Sequence, residues 1–404
     1  MNLDDRQICP GQGVHAFYLE RDCVLFHQDA QTLFHLNATA GYVWCLLEME
    51  KRPNDIPSVL SEAFGLAPDA ARDAVLQALA MFEEAGVLAN SSCRESDPDA
   101  IDPSPDAPES VVLAASSGPV FSCQLLSSGF EIRLANEAQR ALVHSMLGHL
   151  AVVAAVEADA PRFRIDVTED PSGQIGIFLD GRCMREGRGR NTMAPMLKSL
   201  VWQTALLNHD FFVDIHAGVV GDGERCLMFP AAAGSGKTTL TAAMIHEGYE
   251  YLSDEVALLS LPEMTVEPMP MAMCVKSTGV EALLSRYPVL AELPEHLRGD
   301  GKHVRYLRPP AGSIPGGEAR RAVQAIVFPV YRPGGTTYLQ PLSVSEALAA
   351  FLDECLVVSK PLDVTSVGSM LDWFVTTPCY RLTIGNTEES VRIVRGLLGA
   401  VPRR

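Results

Sequence analysis

The sequence predicts two folded domains of different classes, a small α+β domain followed by a larger α/β domain. The first class is indicated by a short strand pair that precedes three segments with helical spacing of apolar residues. The second is indicated by an apolar strand that runs into a glycine-bearing loop and then a helix. We expect residues 1–94 to form the first domain and residues 111–404 the second. Residues 95–110, which hold four prolines, six acids and no lysine or arginine, should be an extended linker.

Composition excludes several classes of function for this chain of 404 residues. The net charge of −18 argues against nucleic acid as a partner, because binding to the phosphate backbone needs clustered lysine and arginine. The ten cysteines form no C-x-x-C pair, so neither a zinc site nor a disulfide framework is indicated. The first residues lack the pattern of a signal peptide, and no apolar run reaches membrane-spanning length. We therefore expect a cytoplasmic protein with no membrane partner.

One arginine-rich stretch is the nearest approach to a basic patch. We interpret it as a solvated loop, with an acidic peptide as the alternative partner. It contains Arg182, Arg185, Arg188 and Arg190.

The small domain is predicted from local pattern alone. Residues 24–27 and 32–36 are typical of two short paired strands. Asn37 is a good N-cap for the helix that follows, and a second helix is expected over residues 56–64. The third helix should occupy residues 68–86, because apolar residues recur at helical spacing and a glycine stands at its end.

This segment resembles the PqqD-like family, winged-helix units also called RiPP recognition elements. The resemblance rests on Leu33–Trp44 and Phe82–Leu88 and covers roughly residues 15–90. It implies that the domain binds the leader of a ribosomally made precursor peptide by adding it as a strand at a sheet edge. An ordinary winged helix is the alternative, although the acidic charge disfavours DNA. The residues implied in peptide contact are Leu33, Phe34, Leu36 and Tyr42.

The larger domain should begin with residues 111–215, which alternate strands and helices, and continue through a phosphate-binding loop. The strand Arg225–Pro230 leads into the loop Ala231–Gly236, where Ala231 stands at the usual first glycine. Free amide groups at the start of a helix favour phosphate, Lys237 can reach the terminal phosphates, and the Thr238 hydroxyl can bind Mg²⁺. The expected nucleotide-binding residues are Ala233, Gly234, Ser235, Gly236, Lys237, Thr238 and Thr239, with Lys276 further along the chain.

Two further features indicate the kind of nucleotide site. Residues 214–220 should form a hairpin with the loop strand, with His216 on the outer strand. Asp254 and Glu255 end a strand that we expect to neighbour the loop strand, at the edge where open α/β sheets bind ligands. One carboxylate can hold Mg²⁺ and the other can accept a proton from an attacking hydroxyl.

Residues 200–400 resemble the HPr kinase/phosphorylase family, whose relatives include kinases of lasso-peptide precursors. The resemblance rests on His216, Gly234–Thr238 and Asp254-Glu255, where the family has Asp-Asp. It implies an α/β P-loop kinase domain that uses ATP and Mg²⁺, with Asp254 as the general base and His216 beside the reacting phosphate. The implied catalytic residues are Asp254, His216 and Lys237, and the implied metal ligands are Thr238, Glu255 and Asp254.

The same family has Glu-x-Arg-Gly in its phosphorylase signature, where this chain has Cys274–Ser277. Because the acid is missing, the sequence predicts neither a second metal ligand here nor the reverse, phosphate-driven reaction. Lys276 is the expected phosphate contact, with Lys302, Arg305 and Arg308 as alternatives. Asp254 could alternatively act only as a Mg²⁺ ligand through water, as in motor-type ATPases.

Taken together, these patterns predict an ATP-dependent kinase that phosphorylates a hydroxyl, in the first place serine, of a precursor peptide held through its leader. Two alternatives remain. One is a nucleotide-gated peptide-binding or chaperone module that assists partner enzymes. The other is a kinase of a folded carrier protein or a small molecule. The precursor peptide is the expected partner, and other peptide-modification enzymes and a homo-oligomer remain open.

Overall fold

The structure is a computed structural model that describes residues 8–19, 22–89, 118–152, 160–316 and 319–398. The chain forms two compact units. The first contains Met1–Asp106, Leu342–Glu354 and Val358–Thr376. The second contains Ala107–Pro341, Cys355–Val357 and Thr377–Arg404. The predicted linker, residues 95–110, lies outside the described residues.

α-Helices and β-strands are interspersed along the described residues. The helices are α1 (Ala38–Glu48), α2 (Ile56–Phe64), α3 (Pro68–Glu84), α4 (Glu137–Leu147), α5 (Arg190–Leu207), α6 (Lys237–His246), α7 (Ser277–Leu283), α8 (Val344–Glu354), α9 (Val364–Thr376) and α10 (Thr387–Val394). The strands are β1 (Val14–Leu19), β2 (Asp22–His27), β3 (Thr32–Leu36), β4 (Val120–Leu125), β5 (Ser128–Arg133), β6 (Arg162–Glu169), β7 (Gln174–Leu179), β8 (Arg182–Arg188), β9 (Val213–Ile215), β10 (Ala217–Gly221), β11 (Arg225–Pro230), β12 (Glu250–Ser253), β13 (Ala257–Ser260), β14 (Thr265–Glu267), β15 (Met273–Lys276), β16 (His296–Leu297), β17 (His303–Leu307), β18 (Arg321–Tyr331), β19 (Tyr338–Pro341), β20 (Leu356–Val357) and β21 (Cys379–Ile384).

The first unit contains an antiparallel sheet in the order β1-β2-β3 and the helices α1, α2 and α3. The Asn37 side chain caps α1 by accepting a hydrogen bond from the amide of Ala40 at 2.9 Å, which confirms the predicted N-cap. Trp44 of α1 packs edge-to-face on Phe82 of α3, with ring centroids 5.1 Å apart. The three predicted helices are confirmed, and β1 is an additional strand.

Both faces of this sheet are covered. Cys23 and Leu25 of the central strand β2 belong to the core that α1, α2 and α3 complete. Val24 and Phe26, which alternate with them and so point to the opposite face, are also fully buried. On the strands beside β2, α8 contacts β3 and α9 contacts β1. The sequence-based division placed residues 342–376 in the second domain, whereas the structure groups α8 and α9 with the first unit, because the second face of the sheet needs an apolar cover.

The second unit begins with a five-stranded sheet in the order β4-β5-β6-β7-β8, on which α4 and α5 pack. The arginine stretch predicted as a solvated loop is instead regular structure: Arg182, Arg185 and Arg188 lie on β8 at one edge of this sheet, and Arg190 begins α5. Residues of the five-stranded layer, such as Ile132 and Leu197, share one core with Leu258 of β13 and Tyr306 of β17. The layer is therefore packed against the rest of the unit.

The larger sheet of the second unit has the order β12-β10-β11-β18-β14-β13-β9-β20, and β21 lies between β18 and β19. The prediction that the strand before Asp254 neighbours the loop strand was wrong, because β10 lies between β12 and β11. Since β10 is antiparallel to both, β12 and β11 run in the same direction and their carboxyl ends meet at one sheet edge. In the described ranges, no helix has both the length and the apolar character to cross a membrane.

Candidate functional site

The loop between β11 and α6 borders a cavity of about 460 Å³ in the second unit. Gly234 and Gly236 have φ angles of 97° and 93°, in the left-handed region that glycine adopts without strain. A Cβ atom on Gly236 would also lie 3.2 Å from the Ile384 side chain. The positive φ angle therefore favours glycine at position 236, and any larger residue there would also have to displace the Ile384 side chain by a few tenths of an ångström.

The structure brings together nearly all residues predicted to bind nucleotide or to act in catalysis. Ser235 is the exception in the lining, and its buried hydroxyl has no hydrogen-bond partner among the described residues. The predicted residues that line the cavity are His216, Ala233, Gly234, Gly236, Lys237, Thr238, Thr239, Asp254, Glu255 and Lys276.

The Lys237 side chain is held at the base of the loop by carbonyl groups. Lys237 is only 7 % exposed. Its ammonium donates hydrogen bonds to the carbonyl oxygens of Ala231 at 3.2 Å and of His216 at 3.5 Å. Burial lowers the pKa of Lys237 to about 8, although the negative charge of Asp254 acts to raise it. No carboxylate of the described residues lies within ion-pair distance of Lys237, so its charge is available to an anion in the cavity.

Asp254 is 3 % exposed and lies just past the end of β12. Its Oδ2 accepts a hydrogen bond from the amide of Cys274 at 3.2 Å, whereas its Oδ1 has no hydrogen-bond partner among the described residues. Burial raises the pKa of Asp254 to about 7, with a further contribution from Glu255 and an opposing one from Lys237. A carboxyl with one free oxygen and a pKa near neutrality is suited to accept a proton.

The half-buried Glu255 forms an ion pair with a buried lysine, which the sequence did not reveal. The ammonium of Lys198, from α5, lies 2.6 Å from Glu255 Oε2 and 5.4 Å from the centre of the Tyr306 ring. Burial acts to raise the pKa of Glu255, but the charge and hydrogen bond of Lys198 outweigh it, so this pKa lies below its usual value. Glu255 is therefore ionised and fixed in position.

His216 lies in the bend between β9 and β10, not on an outer strand of a hairpin as predicted. The prediction failed because β9 leaves the hairpin and pairs with β13 and β20 instead. The His216 amide donates to the carbonyl oxygen of Cys355 at 2.8 Å, which fixes the bend. Burial, followed by the charge of Lys237, lowers the pKa of His216, so its ring is neutral at pH 7.

Two groups that sequence reasoning missed also line the cavity. Arg298, after β16, donates to the Cys274 sulfur at 3.6 Å. The first turn of α10 lines the opposite wall, where the Asn386 side chain caps the helix through the amide of Glu389. The N-cap pattern of Asn386 was readable in the sequence, but its position in the cavity depends on the pairing of β21 with β18.

The residues present fit a magnesium ion that is held partly by a nucleotide. Among the described residues, no group of three or more His, Cys, Asp or Glu side chains could hold a metal. Mg²⁺ in phosphoryl-transfer sites commonly takes only one or two protein ligands and completes its shell with phosphates and water. Thr238, Asp254 and Glu255, the three predicted metal ligands, all line the cavity and carry the oxygen atoms that such an ion prefers.

In the first unit, the residues predicted to contact a peptide have unequal exposure. Leu36 is 2 % exposed and belongs to the core, so its side chain is not accessible to a peptide. Phe34 and Tyr42 are half-buried against the same core, and Tyr42 packs edge-to-face on Phe64 with centroids 5.6 Å apart. Leu33 is half-buried. In the described part of the chain β3 pairs with β2 alone, so its other edge has no strand partner.

Comparison with known proteins bears on the first unit. Residues 22–88 match the family model described as "Coenzyme PQQ synthesis protein D (PqqD)". This match confirms the PqqD-like RiPP recognition element predicted at the N-terminus. The chain is also similar to a solved structure titled "TbiB1 in Complex with the TbiA(beta) Leader Peptide", at 22% identity over 20% of this chain and 93% of that one, with a TM-score of 0.19. A similarity of that size carries no weight for function. The search of curated proteins found no match.

Proposed function

We propose that the protein is an ATP-dependent kinase that transfers the γ-phosphoryl group to a hydroxyl, in the first place a serine, of a ribosomally synthesised precursor peptide. The PqqD-like domain captures the leader of that peptide. One observation carries the proposal: Lys237 without a carboxylate partner and Asp254 with a free oxygen line the same cavity as a glycine-bearing loop at a helix N-terminus.

Nucleotide binding follows from the loop and α6. The amides at the start of α6 and the partial positive charge of the helix N-terminus attract phosphate. The Lys237 ammonium exchanges its two carbonyl acceptors for phosphate oxygens, which are stronger acceptors because they are charged. Thr238 and the second oxygen of Glu255 would hold Mg²⁺, which when bound neutralises charge on the phosphates.

Proton transfer is assigned to Asp254. As the acceptor oxygen bonds to the γ-phosphorus, the bond from that phosphorus to the bridging oxygen of ADP breaks, and the hydroxyl proton passes to Asp254 Oδ1. The Cys274 amide holds the other oxygen of this carboxyl. The ion pair with Lys198 keeps the neighbouring Glu255 ionised, so the two adjacent carboxyls have different tasks.

Leader capture is assigned to the free edge of β3. A peptide strand added there pairs with backbone groups, and side-chain selectivity comes from Leu33 and from the Tyr42–Phe64 pair on the helices that follow. Binding of the leader raises the effective concentration of the acceptor segment, so a weakly bound core peptide can be modified.

The test uses the full chain, Mg-ATP and a serine-containing precursor peptide that is first selected for binding to the full chain. We expect mass spectrometry to show a gain of one phosphoryl group, and Lys237→Ala to abolish that gain while the far-UV circular dichroism stays unchanged. Tyr42→Ala should weaken leader binding about tenfold, whereas Met49→Ala, an exposed apolar residue just past the end of α1, serves as the matched control.

Other outcomes would favour the alternatives. Binding of both ATP and peptide without any mass gain would indicate a nucleotide-gated binding module. Modification of a folded carrier protein or a small molecule at a higher rate than the peptide would indicate the second alternative.

A further inference from the structure

A second cavity, of about 840 Å³, adjoins the first one within the second unit. Its walls come from β8, α5, the segment after β16, and Tyr306 of β17. Three residues line both cavities: His216, Glu255 and Arg298. The second cavity therefore opens onto the group of residues beside Asp254, where the acceptor hydroxyl must arrive.

The walls of this cavity suit a polypeptide segment. Trp202 and Met196 of α5 and Tyr306 of β17 provide apolar surface. In the described part of the chain, the edge strand β8 pairs with β7 alone, so backbone groups on its other edge have no strand partner. Apolar surface for side chains beside an unpaired strand edge is the arrangement by which proteins bind extended peptides.

The charge of the cavity favours an acidic ligand. Lys198 is neutralised by Glu255, and Arg298 lies 3.3 Å from Asp300. The half-buried Arg185 donates only to neutral groups, the Met184 carbonyl at 2.8 Å and the Gln203 side chain at 3.0 Å. No carboxylate of the described residues lies within ion-pair distance of Arg185.

The remaining lining charge is Glu186, which follows Arg185 on β8 and is exposed to solvent. Successive side chains on a strand point to opposite sides, so Glu186 does not share the position of Arg185 against α5. A charge in water is screened, whereas the half-buried guanidinium keeps most of its attraction for an anion.

We propose that this second cavity is the acceptor site, in which an extended peptide segment lies along β8 with its hydroxyl residue at the end formed by His216 and Glu255 and an acidic side chain at Arg185. The inference rests on the proposed kinase function and specifies its substrate as a serine peptide with an acidic neighbour.

The probes are two fluorescein-labelled degenerate peptide libraries without a leader, each with one serine. One library has Asp or Glu near the serine and the other has Lys or Arg. Binding to the full chain is measured by fluorescence polarisation with Mg²⁺ and a non-hydrolysable ATP analogue. Transfer is measured separately with radiolabelled ATP. We expect the acidic library to be preferred about tenfold in both measurements.

The charge reversal Arg185→Glu should invert this preference, while nucleotide binding stays unchanged. Arg182→Glu is the matched control, because Arg182 lies on the same strand, is exposed and does not line the cavity. A second variant, Ser199→Trp, fills the cavity from α5 and should weaken binding of the acidic library about tenfold without affecting the edge of the sheet.

The outcomes separate this inference from the proposed function. If Arg185→Glu inverts the binding preference but neither the libraries nor a leader-bearing precursor peptide is phosphorylated, the peptide site stands and the kinase proposal falls. If transfer occurs but Arg182→Glu and Arg185→Glu change the preference equally, the kinase stands and the acceptor site is overturned. In that case the arginines of β8 only protect a sheet edge from aggregation. Absence of any binding preference in the parent protein would overturn the inference as well.

Discussion

Lys198 Nζ lies 2.6 Å from Glu255 Oε2, so a single ion pair ties α5 to the turn that holds Asp254. Lys198 is only 3 % exposed, and the Tyr306 ring covers its ammonium. Removal of one partner from a buried pair leaves an uncompensated charge, which costs more than the pair itself contributes. Lys198 is therefore a positioning residue for the two carboxyls after β12.

The variant Lys198→Met should lower the free energy of unfolding by about 1 kcal/mol, because Glu255, whose side chain is 28 % exposed, loses its ion-pair partner. Urea unfolding followed by circular dichroism measures this loss. The double variant Lys198→Met/Glu255→Gln is the control and should recover most of the stability without recovering transfer. If the single variant were as stable as the parent, the pair would not hold the turn.

Asp254→Asn should keep binding of Mg-ATP within a few-fold and reduce turnover by roughly two to four powers of ten, the range expected for loss of a general base. In the parent protein, the rate of transfer should rise with pH through about 7, because Asp254 must be ionised to accept the proton. Equilibrium nucleotide binding and single-turnover kinetics decide the assignment. Loss of nucleotide binding without a separate effect on the chemical step would make Asp254 a metal ligand.

The same substitution predicts a pH dependence of stability. Burial raises the pKa of Asp254 from 3.8 to about 7, so between these values the folded state binds more protons than the unfolded state and stability falls as pH rises. Asp254→Asn removes the titrating carboxyl and with it this loss of stability at high pH. We expect it to raise the free energy of unfolding at pH 8 by at least about 1 kcal/mol, and to have a smaller effect at pH 5. An equal effect at both pH values would contradict the raised pKa.

Deletion of residues 1–95 should destabilise the rest of the chain, although the acidic linker suggests that the second domain folds independently. Within the first unit, α8 and α9 pack on β3 and β1, and their Phe351 and Phe374 rings lie 4.7 Å apart in a buried cluster. The truncated chain would expose this apolar surface. Solubility and urea unfolding measure the effect, and co-expression of residues 1–95 should restore solubility. A fully soluble, stable truncation would show that these helices do not depend on the sheet.

Whether a feature of the site could be predicted depends on how far apart in the sequence the contacting residues lie. The order of strand, loop, Lys237 and helix is local, and so is the position of Asp254 at the end of a strand, so both could be predicted from the sequence. Lys198 could not, because a lysine within an ordinary helix gives no signal that it meets a carboxylate 57 residues later. The pairing of β9 with β13, which moved His216 into a bend, is likewise a long-range contact.

In the fold, too, local features could be predicted and long-range contacts could not. In the first unit, the helices α1, α2 and α3 and the strands β2 and β3 follow from local patterns, such as the Asn37 cap and the spacing of apolar residues in α3. The assignment of α8 and α9 to that unit could not be predicted from local patterns, because an amphipathic helix does not specify which sheet it covers.

Lys237 and Asp254 are proposed to serve phosphoryl transfer to a peptide, and one experiment measures that transfer itself. The full chain, and in parallel its Lys237→Ala and Asp254→Asn variants, are incubated with γ-labelled ATP and a precursor peptide selected for binding to the full chain. The peptide from each reaction is then analysed by mass spectrometry. We predict labelled phosphate on a serine of the peptide with the parent protein and almost none with either variant. Tight binding of both ATP and peptide with no labelled peptide would contradict it.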